Sequence, residues 1–152
     1  MSTRIQIAQA TQLVRLRDVR VRAAAVRLAT ARAATMEAER ARIAADEAAD
    51  RAAAAHRTAR DGLAADPGEA ERLLALVDRA RFDRSMAIET LGEARGAEDD
   101  CRRDEDRRRR TMILAQARHD ALAERLGTIR QGAARVDEER QALDAEDVRR
   151  FR

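Results

Sequence analysis

The chain has 152 residues, 31 arginines, no lysine and a net charge of +3, with 36 alanines and only two aromatic residues, Phe82 and Phe151. Ala, Glu, Leu and Arg make up about 60% of it, the bias of long helices and coiled coils, and 31 large apolar residues are too few for a globular core but enough for a narrow seam. One cysteine excludes a disulfide framework within the chain, and no window approaches the roughly 18 apolar residues of a membrane span.

Residues 1–35 carry seven arginines against Asp18 alone, a net of +6. This start lacks the apolar core of a secretory signal. Its Arg- and Ala-rich, acid-poor character would also suit a mitochondrial presequence, but the helical pattern runs smoothly past it. The expected location is cytoplasmic. A first helix is predicted over about 3–64, opened by a Thr3 cap with Gln6 three residues on. Leu16, Val19, Ala23 and Val26 fit one register, which slips near Met36. From there the steps are Ala38, Ala41, Ala45, Ala48, Ala52, Ala55 and Ala59, a stripe of small side chains.

The strong break is "DGLAADPGEAERL". Gly62 stands near a helix end, Asp66 suits an N-cap, Pro67 suits the first helical position, and Glu69 is placed to reach back to the cap. The turn is predicted at 65–68, and a second helix over about 67–149. From Leu73, steps of four and three land on Val77, Ala80, Arg84, Ala87, Leu91, Ala94, Glu98, Cys101, Glu105, Arg108, Met112, Ala115, His119, Leu122, Leu126, Ile129, Ala133, Val136, Arg140 and Leu143. That is one unbroken heptad register. A short connection makes the two helices antiparallel. The fold class is therefore all-α: a single helical hairpin over 1–152, a long antiparallel two-helix coiled coil. Folding about 66–67 sets residue i opposite 133 − i, with the alanine stripe facing Leu73, Val77, Ala87 and Leu91 and Thr3 opposite Arg130. The last twenty residues of helix 2 then overhang.

The stretch EDDCRRDEDRRRR, 98–110, has twelve charged residues out of thirteen and sums to zero. Glu98–Arg102, Asp99–Arg103, Asp104–Arg108, Glu105–Arg109 and Asp106–Arg110 are acid-before-base pairs at i, i+4, the favourable order on a helix. This reads as solvated helix and not as a phosphate grip, because the six carboxylates repel phosphates. Glu98, Glu105 and Arg108 occupy seam-type positions and interrupt the apolar clamp. With Gly92 and Gly96 just before them, a soft segment is expected at 92–110.

No catalytic constellation stands out. His56 neighbours the alanine seam and faces about Val77, His119 takes a seam slot, and both read as polar core residues. Cys101 has no second cysteine or nearby histidine for zinc and reads as a small buried hydrophobe. There is no Gly-rich phosphate loop, and Glu37 and Glu39 are ordinary surface charges. The expectation is a non-enzyme without cofactor, metal or small-molecule substrate. The functional signals are exposed side chains. Phe82 and Met86 fall at i, i+4 on the outer face beside Leu73, Leu74 and Leu76, with Val77 adjoining; Ile113 and Leu114 form a weaker outer pair. Arg15, Arg20, Arg22 and Arg27, with Arg17, make the first helix basic, and Arg20 and Arg27 lie on one stripe.

The segments "RAAAVRLATARAAT" (22–35), "RARFDRSMAIETLGEAR" (79–95) and "EDRRRRTMILAQARHDALAERL" (105–126) resemble the FliJ/YscO family, the stalk proteins of flagellar and virulence type III export. The resemblance implies a two-helix stalk that inserts in a hexameric export ATPase and activates it. It also implies links to the export gate, a membrane protein met through its cytoplasmic part, and to export chaperones, with the stalk cytoplasmic and peripheral to the inner-membrane apparatus. On that reading the basic first helix and the overhang lie in the ring, and the Phe82 end meets gate or chaperone. The alternatives are a generic coiled-coil scaffold or peripheral-stalk protein, and a basic-helix nucleic-acid binder using Arg15, Arg17, Arg20, Arg22 and Arg27.

Overall fold

A computed structural model describes residues 2–150, apart from the side chains of positions 2, 3, 67 and 148. The order is α1 (Ser2–Ala65), a 3₁₀ turn (Pro67–Glu69) and α2 (Ala70–Arg150). There is no strand among the described residues, and the fold is the all-α two-helix hairpin predicted. Alanine is the best helix former, and no Gly or Pro interrupts the chain before Gly62, so α1 runs unbroken. The Thr3 cap concerns a side chain outside the described ones, and the helix already includes that position.

The turn departs from the predicted capping box. Asp66 is the N-cap, and its Oδ1 accepts from the Gly68 amide at 3.1 Å. The Glu69 carboxylate does not return to the cap; it pairs with Arg72 at 2.9 Å. Pro67 therefore opens a 3₁₀ turn, closed by Glu69 N–H to Asp66 C=O at 3.4 Å, and α2 starts one turn later at Ala70.

The chain divides into two compact units: Met1–Leu28 with Arg108–Arg152, and Ala29–Arg107. We call these the terminal unit and the turn unit. Each holds an antiparallel pair of helical segments.

The α2 register is as predicted over most of its length. Leu91, Glu98 and Leu126 are buried, and Leu73, Val77, Ala80, Ala87, Ala94, Cys101, Glu105, Met112, Ala115, His119, Leu122, Ile129 and Ala133 are half-buried. Arg84 and Arg108 fall on the same positions but reach solvent. From Ala134 onward every described side chain is exposed, Val136, Arg140 and Leu143 included.

The α1 register differs from the prediction. Leu16, Val19, Ala23 and Val26 are exposed, Val26 at 66%, while Leu28 is buried at 6%. The seam runs Ile7, Ala10, Val14, Arg17, Val21, Ala24, Leu28, Ala31, Thr35, Ala38, Arg42, Ala45, Ala49, Ala52, His56, Ala59 and Leu63, all buried or half-buried, with no slip at Met36. Four of the seven alanines of the predicted stripe keep their place (Ala38, Ala45, Ala52, Ala59). Ala41 and Ala55 are exposed, Ala48 is half-buried beside the seam, and Arg42, Ala49 and His56 take the alternate positions. The physical cause is degeneracy. Alanine fits either face of a helix, so only the partner helix decides which row is covered. Thr35 is accommodated because its hydroxyl donates to the Ala31 carbonyl at 3.1 Å, leaving its methyl for packing.

In the turn unit, Ala45, Ala49 and Leu91 form the buried cluster, with Ala87 and Ala94 packed on it. The stripe therefore does face Ala87 and Leu91. The axial offset is nonetheless different from 133 − i. Arg42 meets Glu98 and Arg95 meets Asp46 in the turn unit, and Arg130 donates to Thr11 Oγ1 in the terminal unit; these numbers sum to 140 or 141. Side chains on a helix lean toward its N-terminus. In an antiparallel pair the two leans are opposed, so contacting residues have Cα atoms displaced along the axis. That displacement, with the later start of α2, adds several residues to the sum. Thr11, not Thr3, stands opposite Arg130, and the overhang is correspondingly shorter than twenty residues. On the same offset His56 stands opposite about Arg84 and not Val77.

The charged stretch is helical throughout. Glu98 is the most buried polar residue, 4% exposed, with Arg42 Nε 2.8 Å from its Oε2. Arg102 Nη2 lies 2.6 Å from Oε1, the i, i+4 pair predicted, yet Oε1 lacks a well-directed hydrogen bond. Arg32 Nε approaches Glu105 at 3.7 Å. Two of the three seam positions read as gaps, Glu98 and Glu105, are thus filled by cross-helix ion pairs. Elsewhere, Arg103 reaches Asp100 at 3.8 Å and Arg107 reaches Asp104 at 3.1 Å, both at i, i+3. Gly92 and Gly96 are exposed, with nothing within 4 Å of where a Cβ would stand; the structure offers no packing reason for either.

Candidate interaction surfaces

His56 lies in the turn unit and His119 in the terminal unit. His119 is half-buried, with Nδ1 2.9 Å from Asp120 Oδ1; that oxygen also accepts from Gln116 Nε2 at 2.9 Å. This ties the imidazole to its own helix. Cys101 is a free, half-buried thiol. Among the described residues no group of three or more His, Cys, Asp or Glu side chains is placed to hold a metal ion, and no helix is long and apolar enough to cross a membrane.

Two surfaces remain. In the turn unit, Phe82 is 60% exposed, and Met86, one helical turn on, is also exposed. Leu74, Leu76 and Ile88 are exposed on the same stretch of α2. Leu73 and Val77 do not join them on the surface: both are half-buried and belong to the seam.

In the terminal unit, Arg17, Arg20 and Arg27 of α1 and Arg118 of α2 line one open groove of about 360 Å³. Its apolar part is Ala23, Ala24, Leu114 and Ala115, with Thr111 at one side. No carboxylate lines it. None of the four arginines makes an ion pair with a carboxylate among the described residues. Guanidinium groups so placed concentrate positive potential over a low-dielectric floor. The arrangement follows from heptad geometry. Arg20 and Arg27 are seven apart on the flank of the α1 seam, Thr111 and Arg118 are seven apart on the flank of the α2 seam, and the two flanks meet.

Of the arginines singled out from sequence, the structure brings Arg20 and Arg27 to this groove. Arg15 and Arg22 lie outside its lining, and Arg22 is neutralised by Asp18 at 2.7 Å. Arg118 was not anticipated, because its position against α1 depends on the offset between the helices. Arg17 was read only as one more basic residue, and its seam position was hidden by the wrong α1 register. Ile113 stays exposed on the outer face, whereas Leu114 contributes to the groove. A second open groove of about 610 Å³ lies where α1 begins. It is lined by Arg4, Ile7, Ile129, Gly132, Ala133, Val136, Asp137 and Arg140.

Comparison with protein-family models, with curated proteins and with solved structures finds no match to the chain.

Proposed function

We propose that the chain is a non-catalytic coiled-coil stalk of a type III, flagellar-like export apparatus. It binds and activates the hexameric export ATPase and links it to the export gate and to chaperones. The observation that carries this reading is the helical hairpin of unequal arms with a basic terminal unit. α2 continues past the start of α1, and the terminal unit presents four clustered arginines in one groove. A shaft in a protein ring needs paired helices with charged sides, and the antiparallel helical pair and arginine groove of the terminal unit support that reading. The exposed Phe82 and Met86 supply a separate apolar surface suited to gate or chaperone.

The test is titration of the chain into a type III export ATPase while hydrolysis is followed. A saturable rise in rate is expected, and Arg20→Glu with Arg27→Glu should abolish it while Phe82→Ala should not. No rise and no association at micromolar concentration would sink the reading. The arginine groove also favours one competing reading, nucleic-acid binding. There, affinity for duplex or single-stranded probes would fall steeply with salt, with a log–log slope near −0.9 (duplex) or about −0.7 (single strand) per phosphate neutralised. Weak binding at physiological salt is the result expected here.

A further inference from the structure

Two surfaces of the terminal unit carry opposite charge, and each leaves apolar side chains in solvent. One is the groove of Arg17, Arg20, Arg27 and Arg118 over Ala23 and Leu114. The other is the overhang of α2. Residues 137–150 hold six carboxylates against Arg140, Arg149 and Arg150, a net of −3. The heptad places Val136 and Leu143 on the seam side of this segment, Leu143 at 62% exposure. Asp137 and Asp144 flank them on one side, Glu139 and Glu146 on the other. α1 meets only the start of this stretch: Thr11 stands opposite Arg130, and Arg4 lines a groove with Val136 and Arg140, so Leu143 lies beyond it. A single helix of this length is marginal in water without a packing partner.

We propose that the acidic overhang of one copy docks in the arginine groove of a second copy, so that the chain forms a salt-sensitive homodimer. The charge arrangement selects this pairing. Groove against groove sets arginine on arginine, and overhang against overhang sets four flanking carboxylates on four others. Only overhang in groove is attractive, and like-charge juxtaposition rejects the rest. In a two-fold dimer the contact is made twice. The apolar floor distinguishes a helix from a bare anion, because Ala23 and Leu114 gain nothing from phosphate but pack against Val136 and Leu143. Small alanine side chains on the floor leave room for a helix to approach. This proposal does not depend on the export reading.

The experiment is sedimentation equilibrium of the full chain at low and high salt, with helicity followed by circular dichroism. A dimer is expected at 50 mM salt, with a dissociation constant raised about tenfold or more at 500 mM. Arg20→Glu with Arg27→Glu, and separately Asp144→Arg with Glu146→Arg, should each give monomers of unchanged helicity. These positions are exposed, so the substitutions leave the seam intact. Mixing the two variants should restore a dimer, since each groove then meets an overhang of opposite charge. A monomer under every condition, a dimer indifferent to both reversals, or failure of the mixture to associate would overturn the proposal. So would a monomeric chain whose groove binds labelled duplex DNA at physiological salt and loses it on Arg20→Glu.

Discussion

Arg42→Ala should cost about 2–3 kcal/mol of stability and lower the melting temperature by roughly 5–10 °C, one of the largest effects of any charge removal in the chain. Glu98 is 4% exposed. Its carboxylate cannot swing to water, so loss of Arg42 leaves it with Arg102 alone, poorly aligned on Oε1. Breaking a buried pair from one side typically costs about 3–5 kcal/mol, and the surviving Arg102 holds the cost to the low end. Glu98→Ala should cost less, because Arg42 keeps 28% of its side chain in solvent and extends toward water. The double change Arg42→Met with Glu98→Leu should be neutral or stabilising, since the desolvation penalty of both ions disappears. Thermal melts of the parent, the two alanine variants and the double variant Arg42→Ala with Glu98→Ala give the coupling energy directly. Equal costs for the two alanine variants would contradict the burial asymmetry.

Leu28→Ala should cost about 2–3 kcal/mol, while Val26→Ala should stay within about 0.5 kcal/mol of the parent. The two residues are two positions apart in α1 and differ in exposure by an order of magnitude, 6% against 66%. Large-to-small changes in a core cost about 2–5 kcal/mol; a two-helix seam open along both sides belongs at the lower end. The register read from sequence places Val26 in the seam and Leu28 outside it, so it requires the opposite order. Denaturant titration of both variants decides between them.

The contrast shows where the sequence was legible. Helix α2 was readable because Leu73, Val77, Leu91, Met112, Leu122, Leu126 and Ile129 keep one register of threes and fours along its length. The turn was readable because Pro67 is the only proline and Asp66 precedes it. Helix α1 carries two apolar rows. Val14, Val21 and Leu28 form one, and Leu16, Val19 and Val26 the other, with alanine spread over both. Nothing local breaks that tie. It is broken across the pair, where Arg42 must stand against Glu98 and small side chains must stand against Leu91.

The charged stretch is helical as read, but its seam positions Glu98 and Glu105 were misread for the same reason. Counted on its own helix, Glu98 is a hole in the seam. With Arg42 opposite, it is a buried ion pair of the kind that fixes register more than it adds stability. The groove was half legible. Arg20 and Arg27 stand out by their seven-residue spacing in a basic segment, but Arg118 joins them only once the axial offset is known.

The ion-pair seam and the arginine groove rest on that offset, and the single cysteine gives a direct measure of it. Cys101 is free and half-buried. A pair sum near 140 sets Ala38 opposite it, whereas folding about 66–67 sets Arg32 there. Under mild oxidation the monomeric Ala38→Cys protein should form an intramolecular disulfide with Cys101, which demands Cα atoms within about 7 Å. The Arg32→Cys protein should not. Closure at position 32 with none at 38 would contradict the offset, and with it the ion-pair seam and the arginine groove.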